Sequence, residues 1–296
     1  MSRIIQNLIK QYRESIPDHI RKPIYRLIIV PFLDLMQRPL YSYFCFFFSF
    51  FLPKTEKIKA YSFIGKYGKT MYPGKYSLKY KRMDLEVLED LEKTLFYVIH
   101  NKKKLYFPHK LGKEYVKGLY INLITEQDEQ CPHRYIQNLS QLRGKTLLDI
   151  GAAEGIFSLD TIDYTSEVYL FECDPLWINA LKATFEPWKE KVHIIPQYIG
   201  EYNQGSTITL DSFFSGKKVA NLFLKMDIEG AEIEALKGAK RILNNNISFS
   251  ICVYHNKNDL ADISSILERY NYQYNITKGF LYVQKDMRKG IIRGNK

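Results

Sequence analysis

Two runs in this sequence put charged residues where a strand gives way to a helix, the position at which open α/β sheets hold their ligands. The first is Leu147-Leu-Asp-Ile-Gly-Ala-Ala-Glu-Gly155. Gly151 and Gly155 permit a tight turn and close backbone approach by a ligand, and Ala152 and Glu154 lie in the same loop. The spacing is not the G-x-G-x-x-G of dinucleotide sites. Asp149 and Glu154 place carboxylates at both ends of the turn, which would repel a pyrophosphate and suit a cationic or neutral ligand. The second run is Leu224-Lys-Met-Asp-Ile-Glu-Gly-Ala-Glu232. Lys225, Asp227 and Glu229 are charged where a strand of a parallel sheet should be apolar, and such charges cost several kcal/mol unless paired. Glu229 and Glu232 would also suit the first turn of a following helix, where the dipole favours acids.

Two further residues belong to the same edge. Glu172 ends a strand 21 residues after Gly151, at the spacing of an acid that binds ribose hydroxyls. It or Asp174 could instead cap the helix beginning at Pro175. His255, in Cys252-Val-Tyr-His-Asn256, closes a later strand, and its ordinary pKa near 6.5 suits a general base. A lone histidine in that place is as readily structural.

The elements that position these residues follow from the hydrophobic pattern. Lys145–Ile150, Glu167–Phe171, Val192–Ile195, Ala220–Met226 and Ile247–Tyr254 are expected strands. Helices are expected after Gly155 and over 175–188, 229–244 and 259–270. Strands alternating with helices imply an α/β, doubly wound, mostly parallel sheet. Tyr272–Thr277 and Phe280–Gln284 are expected to pair across Lys278-Gly279 as a C-terminal antiparallel hairpin. Upstream, 94–99 and 105–107 suggest a hairpin with a basic turn, and 112–126 a helix.

Charge divides the chain. The 296 residues carry 43 Lys+Arg against 32 Asp+Glu, a net +11. Residues 1–82 hold 16 basic and 4 acidic residues, residues 83–140 hold 8 and 9, and residues 141–296 hold 19 of each. Three segments result: a basic, aromatic N-terminal extension (1–82), helical over 1–52 and a linker or irregular strands over 54–82; a lead-in region (83–140); and the α/β domain (141–296). A uniformly basic nucleic-acid coat is excluded. Eight of the eleven residues from Tyr41 to Phe51 are aromatic. Leu40–Leu52 falls short of the about 20 residues of a membrane span unless residues 24–37, with Arg26 and Asp34, join it. It reads as buried core, interfacial anchor or span. Cys45, Cys131, Cys173 and Cys252 lack disulfide-scaffold or zinc spacing, and no secretory signal is expected, which suits the cytoplasm. Asp227, Glu229 and His255 could in principle share an ion, but no metal is expected.

Asp149-Ile-Gly-Ala-Ala-Glu-Gly155, Glu172, and above all Lys225-Met-Asp-Ile-Glu-Gly-Ala-Glu232 followed by Leu236-Lys-Gly-Ala239 resemble the FkbM-type family of S-adenosylmethionine-dependent methyltransferases. Val253-Tyr-His-Asn256 and Cys131-Pro-His-Arg-Tyr135 look like a bacterial branch of it. The resemblance covers about 130–285; residues 1–82 have no counterpart in it. It implies a Rossmann-like, seven-stranded class I methyltransferase sheet and S-adenosylmethionine as cofactor. It also implies O-methylation of a small-molecule or glycan hydroxyl, with polysaccharide biosynthesis a family suggestion. By resemblance Asp149, Gly151 and Glu154, in the loop with Ala152 and Gly155, flank the methionine part, Glu172 binds the ribose, and Asp227 lies beside the transferable methyl. His255 is the first choice of base, Asp227 or Glu229 the second, and Lys225 could hold a carboxylate or an anionic substrate. An NAD(P) oxidoreductase would need the missing glycine pattern. A non-catalytic scaffold would not need Asp149, Glu172 and Asp227 together, and a nucleic-acid methyltransferase would need basic residues round its mouth. The basic extension is expected to make peripheral contact with an anionic membrane.

Overall fold

The computed structural model describes residues 23, 35, 38–217 and 220–296, and the chain divides into two compact units at Pro73/Gly74. In the first unit, α1 (Leu40–Phe47) and α2 (Glu56–Tyr67) pack together. Gly65 of α2 lies against the Ser42 carbonyl and Phe46, where any Cβ would collide. Thr55 caps α2 by accepting the Ile58 N–H. The linker expected over 54–82 is therefore largely helical. Cys45 and Ile64 are buried, but Phe47, Phe50 and Phe51 are 73%, 89% and 82% exposed, so most of the aromatic run is not core. No helix among the described residues is long and apolar enough to cross a membrane. The reading of 1–37 as helical, and the recruitment of 24–37 to a span, lie outside the described residues except at Pro23 and Leu35.

The second unit begins with β1 (Leu88–Asp90), β2 (Leu95–His100) and β3 (Lys103–Pro108), an antiparallel meander. Asn101 and Lys102, both left-handed, make the β2–β3 turn. Helix α3 (Lys113–Glu126) follows. His100 ties these elements to the main domain: its Nδ1 lies 2.9 Å from the Tyr120 hydroxyl and its Nε2 2.8 Å from Asp160.

The main sheet is built from β4 (Thr146–Ile150), β5 (Glu167–Phe171), β6 (Val192–Ile195), β9 (Leu222–Met226), β10 (Ser248–Cys252), β11 (Gln273–Ile276) and β14 (Ile291–Asn295). Their order is β11-β14-β10-β9-β4-β5-β6, and β14 alone runs antiparallel to its neighbours. Between the strands lie α4 (Ile156–Thr161), α5 (Pro175–Phe185), α6 (Leu210–Phe213), α7 (Glu232–Lys237), α8 (Lys240–Leu243) and α9 (Asp259–Arg269), with the short parallel pair β7 (Tyr198–Ile199) and β8 (Thr207–Ile208). Leu148, Leu224, Phe249 and Ile251 from the strands bury one core with Leu236, Ile242, Ile263 and Leu267 from the helices. This is the Rossmann-like doubly wound sheet expected from the alternation of elements. The order reverses between β4 and β9, which opens a crevice past their carboxyl ends.

Two local expectations fail. The strand at 273–276 pairs not with the next segment but with β14, while β12 (Leu281–Val283) and β13 (Asp286–Arg288) form their own hairpin on the left-handed Gln284-Lys285 turn. The helix expected over 229–244 begins only at Glu232 and breaks at Gly238-Ala239. Gly238 packs on the Gly200 carbonyl, where any side chain would collide.

Candidate active site

Strand register places Asp149 directly beside Lys225 on β4 and β9. Both side chains are buried, at 1% and 5% exposure, and their charged atoms lie 2.9 Å apart. Lys225 Nζ also donates to the Gly151 carbonyl at 2.6 Å and lies 5.1 Å from the centre of the Tyr135 ring. Asp149 accepts from Ser158 Oγ on α4 at 2.6 Å. Burial alone would depress the Lys225 pKa, but Asp149 and Asp227 outweigh it and raise it, so the ammonium stays charged. Lys225 therefore holds a carboxylate of its own chain.

The glycine loop wraps this pair. Gly151 has φ +78°, and a Cβ there would overlap the Asp227 carbonyl, so glycine is required for the two loops to touch. Ala153 is also left-handed, and its N–H donates to Glu172 Oε2 at 2.8 Å. Glu172 Oε1 accepts the Asp174 N–H at 2.8 Å, while Asp174 itself caps α5 through the Leu176 N–H. Glu172 thus joins the β4 and β5 loops and keeps lone pairs for further donors, since a carboxylate offers about four acceptor positions. Glu154 is partly buried, and burial, aided by the charges of Glu126 and Glu172, pushes its carboxyl up to about 7. A carboxyl held near neutrality by lost solvent is a site that a cation would relieve.

Across the crevice Asp227 is the centre of a cluster. Its Oδ2 accepts from the Tyr135 hydroxyl at 2.6 Å, and its Oδ1 from the Tyr254 hydroxyl at 3.2 Å. His133 Nε2 lies 3.5 Å from Oδ2, and His255 Nε2 lies 3.3 Å from Oδ1. Burial would raise the Asp227 pKa, but His133, Lys225 and His255 together hold it well below the usual carboxylate range. The opposite balance acts on His255. Desolvation favours the neutral ring, but Glu232, Asp227 and Glu229 outweigh it and raise the pKa above the ordinary value. Glu232, 1% exposed, puts Oε1 2.9 Å from His255 Nδ1 while accepting the Ile228 N–H. Glu229 is left-handed and precedes α7, with a side chain 94% exposed and 3.8 Å from His255 Nε2. Donor atoms of Asp227, Glu232 and His255 lie within 4.8 Å of one another, as do those of His133, Asp227 and Cys252. Glu232, not the expected Glu229, completes the first of these sets.

The crevice therefore brings together Asp149, Gly151, Ala152, Glu154, Gly155, Glu172, Lys225, Asp227 and His255, with Glu229 at the rim. Glu232 is the first-turn acid that the sequence leads one to expect, and its buried carboxylate also faces His255. Tyr135, His133 and Tyr254 had no assigned role. Their signal lay in Cys131-Pro-His-Arg-Tyr135 and Val253-Tyr-His-Asn256, which reach Asp227 only when the chain folds.

Residues 186–274 match the methyltransferase FkbM domain. Over that stretch, less than a third of its length, the chain resembles FkbM-type methyltransferases. The matched stretch includes the Lys225–Glu232 run and His255; the glycine loop and Glu172 lie outside it. No curated protein matches the chain. Among solved structures, a methyltransferase FkbM from Methylobacillus flagellatus shares 21% identity over 60% of this chain and 54% of its own, with a TM-score of 0.44. The chain thus spans about half the length of that protein. A precorrin-6y C5,15-methyltransferase from Geobacter metallireducens shares 16% over 53% of this chain and 86% of its own, at 0.37. The magnesium protoporphyrin IX methyltransferase of Synechocystis, solved with bound S-adenosylmethionine, shares 15% over 52% and 71%, at 0.35. These likenesses are too loose to assign an activity to the FkbM domain.

Removing one member of the buried pair leaves the other charge without compensation. Asp149→Asn is expected to destabilise the domain by about 3–5 kcal/mol, read from denaturant unfolding. The double change Asp149→Leu with Lys225→Met should recover much of that loss. A loss in the double change equal to the sum of the losses in Asp149→Leu and Lys225→Met alone would contradict the coupling.

Proposed function

We propose that this FkbM domain transfers a methyl group from S-adenosylmethionine to a hydroxyl, with a sugar or glycan as the acceptor class. The observation that carries the reading is the facing pair of features at one crevice: an acidic glycine loop without a phosphate cradle, and a histidine held between buried carboxylates. S-adenosylmethionine supplies a sulfonium-activated methyl and offers its binding site positive charge and ribose hydroxyls, but no phosphate. Glu154 would neutralise that charge, and the remaining lone pairs of Glu172 would accept the hydroxyls.

A hydroxyl acceptor, unlike an amine, must lose its proton as it is methylated, which calls for a base. His255 is the better placed of the candidates. Glu232 facing Nδ1 favours the tautomer with its proton there, leaving Nε2 to accept. Ionised Asp227 beside Nε2 stabilises the imidazolium that forms. Asp227 itself, held far below the usual range, is a weak base, and the exposed Glu229 side chain is held only by a long 3.8 Å approach to His255 Nε2. Tyr135 and Tyr254 fix the Asp227 carboxylate from two sides.

The first unit supports a peripheral membrane contact. Exposed Phe47, Phe50 and Phe51 are followed in the sequence by Lys54, Lys57 and Lys59, apolar rings and cations in one segment as interfacial anchors use them. A neutral vesicle offers no such charge, so binding should need anionic lipid and weaken with salt.

Three outcomes follow. Because a cation favours ionised Glu154, S-adenosylmethionine affinity should rise between pH 6 and 8 with proton release, and Glu154→Gln should abolish that dependence; calorimetry in buffers of different ionisation enthalpy reads it. With labelled cofactor and a panel of sugars, His255→Ala should lower kcat about 10²–10⁴-fold while cofactor affinity holds. The base is competent only above its raised pKa, so kcat/KM should climb with pH past 6.5, and Glu232→Gln should move that limb to lower pH. Unchanged turnover in His255→Ala removes it from the role. Finally, the chain should sediment with anionic and not with neutral vesicles at low salt, and substituting Phe47, Phe50 and Phe51 by Ser should release it; retention in the supernatant contradicts the anchor.

A further inference from the structure

Helices cover both faces of a doubly wound sheet, so its strands are ordinarily apolar on both. One face of this sheet breaks that rule. Register aligns Asp149, Lys225, Ser250, Arg293 and Asn275 as a single row across β4, β9, β10, β14 and β11. Two residues back, Ser248, Asn295 and Gln273 repeat the pattern on β10, β14 and β11, while Leu147 and Phe223 on β4 and β9 are apolar. The alternate residues Phe249, Ile251 and Ile292 point into the core. Strands β10, β14 and β11 are therefore apolar on the packed face and polar on the other, a pattern made for water or a polar ligand and not for a missing helix.

Over this face lies a groove of about 1170 Å³. The segment carrying Arg134 to Gln137 forms one wall, Thr277 and Lys278 the other, and the polar rows form the floor. Four cations line it, Arg134, Lys145, Lys278 and Arg293, against one carboxylate, Glu129. Among the described residues none of the four cations pairs with a carboxylate, although 15 such contacts are present elsewhere in them. Arg293 donates to the Arg134 carbonyl, but its Nε is buried without a partner. Burial, with the Arg134 charge beside it, lowers its pKa to about 10. Lys145, also depressed by burial, reaches Ser248 Oγ at 2.5 Å. Arg134 is engaged by the Gln127, Ile136 and Gln137 carbonyls, so the orphaned Arg293 donor, among cations without a carboxylate, calls for an oxyanion. Around it, Gln137, Gln141, Ser248, Ser250, Asn275 and Asn295 offer amides and hydroxyls, the partners of a hydroxyl-rich ligand.

We propose that this groove binds an acidic saccharide, a sugar bearing a phosphate or a carboxylate, with the anion at Arg293 and Lys145 and the sugar hydroxyls along the amide and hydroxyl floor. A nucleic acid fits less well. Its bases would want exposed aromatic stacking faces, and the aromatic side chains on this groove, Tyr135, Phe223 and Phe249, are buried. The site is separate from the methyl-transfer crevice. Tyr135 stands between the two, its carbonyl accepting from Ser250 Oγ on the groove side at 2.5 Å and its hydroxyl bonding Asp227 on the other. The proposal does not depend on the methyl-transfer reading.

Calorimetry of the full chain with glucose 1-phosphate, glucuronate and glucose tests it. At least one of the two anionic sugars should bind while glucose binds at least tenfold more weakly; which anion binds distinguishes phosphate from carboxylate. Arg293→Gln, and Asn275→Trp to fill the groove from its edge, should each cost at least tenfold in that affinity. Thermal melts and S-adenosylmethionine titration of the same variants report whether fold and crevice persist. Asn275 is exposed at the edge, so that variant decides the matter if Arg293→Gln does not fold. Binding of neither anion, equal affinity in a folded variant, or tighter binding of oligothymidylate displacing the sugar overturns the proposal. A loss of cofactor binding with sugar binding intact would count against the crevice and leave the groove standing.

Discussion

Lys225 carries a charge into the middle of a parallel sheet, and the carboxyl edge of the domain is arranged to keep that charge partnered. Asp149 answers it from the neighbouring strand, and the Gly151 carbonyl and the Tyr135 ring complete its surroundings. Each of these fixes something else. Asp149 holds Ser158 at the start of α4, Gly151 lets the glycine loop touch the Asp227 backbone, and Tyr135 brings its hydroxyl to the Asp227 carboxylate. A buried ion pair of this kind is weak evidence for stability, because its desolvation cost roughly matches its attraction. Its effect is better described as positional: it decides where two loops and one side chain can go.

The crevice that results separates two kinds of chemistry by a few residues. On the β4–β5 side the carboxyls of Glu154 and Glu172 face the loop, and among the described residues neither forms an ion pair. On the β9–β10 side Asp227 lies among Lys225, His133 and His255, so that it stays ionised while the histidines are drawn toward their charged forms. Left-handed Ala153 and Glu229 mark the two loops as locally strained, as sites with fixed tasks often are. A cationic donor on one side and a proton acceptor on the other is the division of labour that the proposed methylation of a hydroxyl requires.

The doubly wound sheet was legible because β4, β5, β6, β9 and β10 are short apolar runs each followed by a helix pattern. The run from Lys225 to Glu232 was legible because charge at the end of such a strand is costly. What could not be read depended on contacts distant in sequence. Glu232 looked like an acid in a first helical turn, and only folding turns it onto His255. His133 and Tyr135 precede the sheet by more than ten residues and meet Asp227 92 positions later for Tyr135. The C-terminal pairing was misread because Lys278-Gly279 resembles a tight turn, whereas the backbone pairing of β11 is taken up by β14, some fifteen residues on. The polar face of β10, β14 and β11 is visible as alternation in Ser248-Phe-Ser-Ile251, yet which face stays uncovered is a property of the packed helices.

The carboxylates of the crevice favour S-adenosylmethionine over a phosphate-bearing dinucleotide. Paired calorimetric titrations with S-adenosylmethionine and with NADH or NADPH test this most directly. The acidic glycine loop predicts stoichiometric binding of S-adenosylmethionine and none of the nicotinamide cofactors. Binding of a nicotinamide cofactor without S-adenosylmethionine would contradict it.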